Sequence, residues 1–80
     1  MGKRDLHKQY KNFCYALRKF REERGFNQID IAKKIKKPQS YISKIESGER
    51  RLDFVELVQL CDAMDISMVD FVQFFEKLSD

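Results

Sequence analysis

One histidine, one proline, two cysteines and three glycines are all that the 80 residues hold of these four types. Each scarcity excludes something. Cys14 and Cys61 are too few for the disulfide framework that a secreted chain of this size needs, so reduced thiols on apolar helix faces are expected. With His7 alone, expected in a flexible terminus, and no close pair of Cys or His, no zinc ligand set exists. Neither a metal nor another cofactor is expected. No apolar run reaches the roughly 18 residues of a membrane span, and residues 1–11 are too polar for a secretory signal. The expectation is a soluble, cytoplasmic chain without a membrane partner or an evident small-molecule ligand. No serine or cysteine has a base nearby and no glycine-rich phosphate loop occurs, so an enzyme is not expected.

Charge is present in quantity and is unevenly placed. Residues 1–51 hold 15 Lys or Arg against 6 Asp or Glu, a net of +9, whereas residues 52–80 hold 1 against 7, a net of −6. One side of such a molecule attracts a polyanion and the other is repelled by it.

No repeat, low-complexity tract or Gly/Ser linker divides the chain, which reads as a single domain over residues 1–80 with a core from about residue 6 to 78. No stretch of five residues alternates apolar and polar without a better helical account, so the expected class is all-α. Leu6, Tyr10, Phe13, Leu17 and Phe20 recur every three or four residues and predict a long amphipathic helix ending before Gly25, a left-handed cap. Asn27 with Asp30 predicts the start of a short second helix through Ile35, with Ile31, Ala32 and Ile35 facing the core. Lys36 and Lys37 form a tight connection, Pro38 opens a third helix in its first turn, and Gly48 closes it. Asp53 with Glu56 has capping-box spacing before a fourth helix whose apolar face is Phe54, Leu57, Val58, Cys61 and Met64. Ser67 with Asp70 repeats the device for a fifth.

Two short helices in close succession form the helix-turn-helix arrangement, in which the second helix enters the major groove. At 100° per residue the side chains of Gln39, Ser40, Ser43, Lys44 and Ser47 share an arc of about 140°, while Ile42 and Ile45 fall opposite, with Tyr41 and Glu46 on the flanks. The arc carries no carboxylate. Glutamine can pair with adenine at two atoms, lysine can donate to guanine, and serine can donate or accept. An ordinary solvated face has a similar composition; what sets this one apart is that Lys36, Lys37, Arg50 and Arg51 bracket it, as phosphate contacts do. Tyr41 is expected beside a phosphate, and Tyr10 and Tyr15 as packing residues.

The run from Leu17 to Gln28, then Ile31 and Ala32, then Ser40 to Glu46, then Gly48 resembles the Cro/phage-repressor (XRE) helix-turn-helix family, over residues from about 13 to 75. The resemblance implies a compact, lambda-repressor-like five-helix DNA-binding domain, usually a homodimer on a two-fold symmetric operator, with repression as the usual role. It further implies that Gln28 contacts a phosphate and braces Gln39, that Gln39, Ser40 and Lys44 read bases with Ser43 adjacent, and that Ala32 lets the two helices pack closely. It pairs Arg21 with Glu46, a pairing that a partly buried carboxylate near phosphates requires in any case. The sequence departs from the family where Lys36 replaces the turn glycine, Lys37 a hydrophobic residue, Pro38 a capping Ser or Thr, and Leu52 a proline. A left-handed Lys36 costs about 1 kcal/mol.

The last helix is apolar over more of its circumference than one buried face requires. Extra core cover is one reading; a dimer interface of Met68, Phe71, Val72, Phe74, Phe75 and Leu78 is the favoured one. A second function class stays open, a protein-interaction module, antitoxin-like or an assembly subunit, that keeps this fold without reading DNA.

Overall fold

Four of the five helices open on a side-chain cap. In a computed structural model that describes residues 5–78, five helices appear in chain order and, among the described residues, no strand. The Asp5 side chain accepts from the Lys8 backbone N–H and opens α1 (Leu6–Glu23). Asn27 and Asp30 form a reciprocal capping box ahead of α2 (Gln28–Lys34), and Asp53 and Glu56 do the same ahead of α4 (Phe54–Ala63). At α5 (Met68–Leu78) the Ser67 hydroxyl accepts from the Asp70 backbone N–H. Pro38 stands one place earlier than expected: it is the residue before α3 (Gln39–Ser47) rather than its first helical residue. Its fixed φ of −71° suits that position, and its missing donor costs nothing there.

Three helices end in the same paired-bond motif around a left-handed residue. Gly25 fills that position after α1, Lys36 (φ 59°) after α2 and Asp65 (φ 58°) after α4. For α2 the Lys36 N–H reaches the Lys33 carbonyl and the Lys37 N–H the Ala32 carbonyl. Lys36 therefore does adopt the conformation that a glycine takes without strain. Asp65 in the same role is not foreshadowed by any glycine.

The core gathers Ala16 and Leu17 of α1, Ile31 and Ala32 of α2, Ile42 and Ile45 of α3, Leu57, Leu60 and Cys61 of α4, and Phe71 of α5. α1 packs on α3 and α5, α2 on α3 and α4, and α4 on α5. Both cysteines are free and buried, and burial pushes the Cys61 thiol up to about 11. Lys34 ties the end of α2 to that of α4: its Nζ donates to the Ala63 carbonyl at 2.8 Å and lies over the Phe26 ring. It gives the last turn of α4 the cation which that turn itself lacks. Among the described residues no helix is long and apolar enough to cross a membrane.

Several expectations are corrected. Leu6 is 81% exposed, because the first turn of α1 runs past the bundle, and His7 lies in that helical turn rather than in a loose terminus. Tyr15 is exposed, on the face of α1 opposite the core. Phe54, 69% exposed, stands outside the α4 core face, which shifts to Leu57, Leu60, Cys61 and Ala63. Phe71 is 2% exposed and stacks against Phe13 and Phe20, so it belongs to the core and not to a dimer surface. Phe74 packs on Phe20 and Phe75 faces Phe13, so both are partly spent on the monomer, as are the half-buried Met68 and Leu78. Val72 stays exposed and is joined there by Val69.

Candidate nucleic-acid interface

The exposed face of α3 is built by one amphipathic turn pattern. Ile42 and Ile45 anchor α3 in the core, which turns Gln39, Ser40, Ser43, Lys44 and Ser47 to the exterior together. All five are exposed; none is itself a carboxylate, and at the C-terminal end Glu49 Oε2 accepts from the Ser47 hydroxyl at 3.5 Å. Small hydroxyls beside one amide and one ammonium allow close approach to base edges and supply both donors and acceptors.

One flank of that face is held by a chain of polar contacts across three helices. Arg21 of α1 grips Glu46 with two parallel hydrogen bonds, Nε to Oε2 at 2.7 Å and Nη2 to Oε1 at 3.0 Å, while its Nη1 donates to the Phe26 carbonyl. The Glu46 bonds keep the Arg21 guanidinium charged against the opposing effect of burial. The Gln28 amide donates to Glu46 Oε1 at 3.0 Å, and its oxygen accepts from Gln39 Nε2 at 3.3 Å. The first side chain of α3 is thus oriented from beneath by Gln28. The negative charge of Glu46 is consumed inside the fold, and the outer face is left positive.

On the other flank, Tyr41 is the platform. Lys37 Nζ lies 5.3 Å from the ring centroid and the Arg50 guanidinium 4.7 Å, cation–π distances that hold both charges in place. The Tyr41 hydroxyl donates to Glu56 Oε2 at 3.3 Å, and Arg50 Nη2 donates to the same oxygen at 2.8 Å. The Asp53 backbone N–H, then the Arg50 charge and the Tyr41 hydroxyl, lower the Glu56 carboxyl below the usual range. Tyr41 therefore carries cations here, with its hydroxyl turned to Glu56. Glu56 is the residue that sequence reasoning missed. Its capping-box spacing was readable, but its second task joins it to Arg50 across the 48–53 loop, and no local pattern announces that.

The cations do not form one cluster. Arg50 turns toward α4, while its neighbour Arg51 turns toward α1 and lies 4.2 Å over the Tyr10 ring. Lys36 and Lys37 stand exposed at the α2–α3 connection.

The profile of the helix-turn-helix family matches residues 17–71, which span α2, α3 and α4 and parts of α1 and α5. The chain belongs to that family. Within it, the fold is similar to the restriction-modification controller protein C.Esp1396I, with a TM-score of 0.82, 28% identity and coverage of 88% of this chain and 91% of that one. The same controller, solved as a tetramer in complex with its natural 35 base-pair operator, matches with a TM-score of 0.81 and 28% identity over 88% of this chain and 92% of that one. An XRE-family-like protein from Pseudomonas syringae pv. tomato DC3000 gives 0.84 with 27% identity, over 94% of this chain and 92% of that one. The HTH-type transcriptional regulator PrpR of Mycobacterium tuberculosis is 33% identical over 64 residues, 80% of this chain and 12% of that protein. The chain therefore spans about an eighth of this curated relative. As a DNA-binding helix-turn-helix domain of the XRE type, it has α2 and α3 as its motif.

Proposed function

We propose that this chain reads a specific sequence in double-stranded DNA as a homodimer on an inverted-repeat operator, and that it represses transcription by occupying that site in the cytoplasm. One observation carries the reading: Gln39, Ser40, Ser43 and Lys44 lie exposed on one rigid helix face whose acidic flanks, Glu46 and Glu56, are both satisfied internally. Gln39 and Lys44 supply the two-point and charged base contacts, and Ser40 and Ser43 the small adaptable ones. Gln28, Lys36, Lys37, Arg50 and Arg51 meet phosphates, with Tyr41 holding two of those cations.

Dimerisation is carried by the outer face of α5. Val69 and Val72 are exposed there, and the half-buried Met68, Phe74, Phe75 and Leu78 extend the apolar area. The controller protein similar to this chain assembles as a tetramer on its operator. A two-fold pair places two copies of α3 about one DNA turn, or 34 Å, apart.

Selection of bound sequences from a random duplex pool at physiological salt tests the reading. An enriched inverted repeat with half-sites one turn apart is expected. A pool that stays random through successive rounds overturns sequence-specific reading and leaves the protein-interaction alternative.

A further inference from the structure

A groove of about 470 Å³ lies beside the exposed face of α3. Lys11, Tyr15 and Arg18 of α1 form one wall, and Ser47, Gly48 and Arg51 form the other. The α1 residues follow one another at spacings of four and three, so they line a single stripe opposite the apolar face of Phe13, Leu17 and Phe20. Three cations therefore converge on one hollow, and the one carboxylate among its lining residues, Glu46, is compensated; Glu49, outside the lining, accepts from the Ser47 hydroxyl at 3.5 Å. Glu46 at its back is bonded to Arg21 and Gln28. The Cys14 thiol, which donates to the Ile45 carbonyl, is pushed up by burial and stays neutral. Arg18 meets Glu22 at 3.2 Å, but both side chains are largely exposed, and such a pair exchanges readily for a phosphate.

Two features make the groove a built site. Arg51 lies over the ring of Tyr10, whose hydroxyl donates to the Arg50 carbonyl at 3.4 Å, so its guanidinium is positioned before any ligand arrives. The groove is also continuous with the reading face, since Arg18 and Ser47 border the adjoining hollow that contains Ser43 and Gln28.

We propose that this groove binds the phosphodiester backbone of the operator, through Lys11 and Arg18 of α1 together with Arg51, and so extends the footprint beyond the helix-turn-helix. The inference rests on the DNA-reading proposal. Its contacts set affinity and register and carry no base preference. A free phosphate anion shares the same chemistry, and the test separates the two sources.

The full chain is titrated with its selected duplex over a range of salt concentrations, alongside Lys11→Ala, Arg18→Ala, the double variant and Lys19→Ala, a cation of α1 outside the groove. Each single loss is expected to flatten the slope of log K against log salt by about 0.9, so that the fall in affinity over the roughly 4-fold rise in salt from 50 to 200 mM shrinks by about 3- to 4-fold per contact. The selected sequence should not change, and Lys19→Ala should match the parent. Unchanged slopes for Lys11→Ala and Arg18→Ala, with a flattened slope for Lys37→Ala, overturn the groove assignment and leave DNA reading intact. Failure of the parent to bind any duplex overturns both. A parallel NMR titration of the free protein with inorganic phosphate covers the second source. Saturating shifts at Lys11 and Arg18 combined with unchanged DNA slopes assign the groove to a small anion and overturn the proposal.

Discussion

The two flanks of α3 solve the same problem in opposite ways. Each must satisfy a glutamate that stands beside the polar face of the helix. On one side Glu46 is nearly buried, with side-chain exposures of 10% for Arg21 and 8% for Glu46, and two parallel bonds join them. On the other, Arg50 and Glu56 remain 43% and 27% exposed, and one close bond joins them. A buried pair cannot be broken without stranding a charge, so it acts as structure. An exposed pair contributes little to stability and can trade its carboxylate for a phosphate, so it acts as a reserve of positive charge. The fold thus fixes the helix from the Glu46 side and leaves the Tyr41 side adaptable.

The largest effect should come from breaking the buried flank. Glu46→Ala strands Arg21 and releases Gln28, at a cost on the order of 3 kcal/mol in denaturant unfolding; an unshifted midpoint would show that the pair contributes nothing. Next comes the end of the same chain of contacts. Gln39→Ala should weaken binding to the selected duplex by about 1–3 kcal/mol and relax preference at a particular base pair, whereas equal loss on all sequences would remove Gln39 from base reading.

Lys36→Gly separates stability from binding. Relief of the left-handed strain should raise unfolding stability by about 1 kcal/mol, while the lost charge flattens the salt dependence of DNA binding. A variant that melts lower would mean that the Lys36 backbone carries no strain. The smallest effect belongs to the exposed flank. Glu56→Gln keeps a capping side chain but frees Arg50, so binding to any duplex should strengthen slightly while the fold is barely affected. Because the folded Glu56 carboxyl is depressed, its ionised form stabilises the fold above the ordinary carboxylate value of 4.5. That contribution disappears as pH falls below 4.5 through the lowered value. Parent and Glu56→Gln should therefore converge in acid melts; a gap that persists there would place the effect elsewhere.

What could be read in advance was what short-range periodicity encodes. The caps at Asn27 and Asp53, the stop at Gly25 and the inward turn of Ile42 and Ile45 all follow from spacing within one or two helical turns. The errors lie where burial depends on which neighbour arrives. Phe71 and Phe54 have the same chemistry, yet one is enclosed by Phe13 and Phe20 and the other stands in an uncovered first turn. Periodicity places a phenylalanine on a face but does not say how far the facing helix extends. The divergence of Arg50 and Arg51 was hidden for a related reason, because each is steered by an aromatic ring on another element, Tyr41 of α3 or Tyr10 of α1. The Glu56 bond to Arg50 depends on the path of the intervening loop.

Lys34 joins the last turn of α2 to the last turn of α4, so the helix-turn-helix and the part that carries α5 turn as one body. A two-fold pair formed through α5 then presents its two copies of α3 at a single rotational phase. One base pair inserted at the centre of an inverted repeat swings one half-site by about 34–36° around the duplex, and a body so tied does not follow. Such a protein gauges helical pitch as well as lettering, and the spacer between half-sites becomes part of its address.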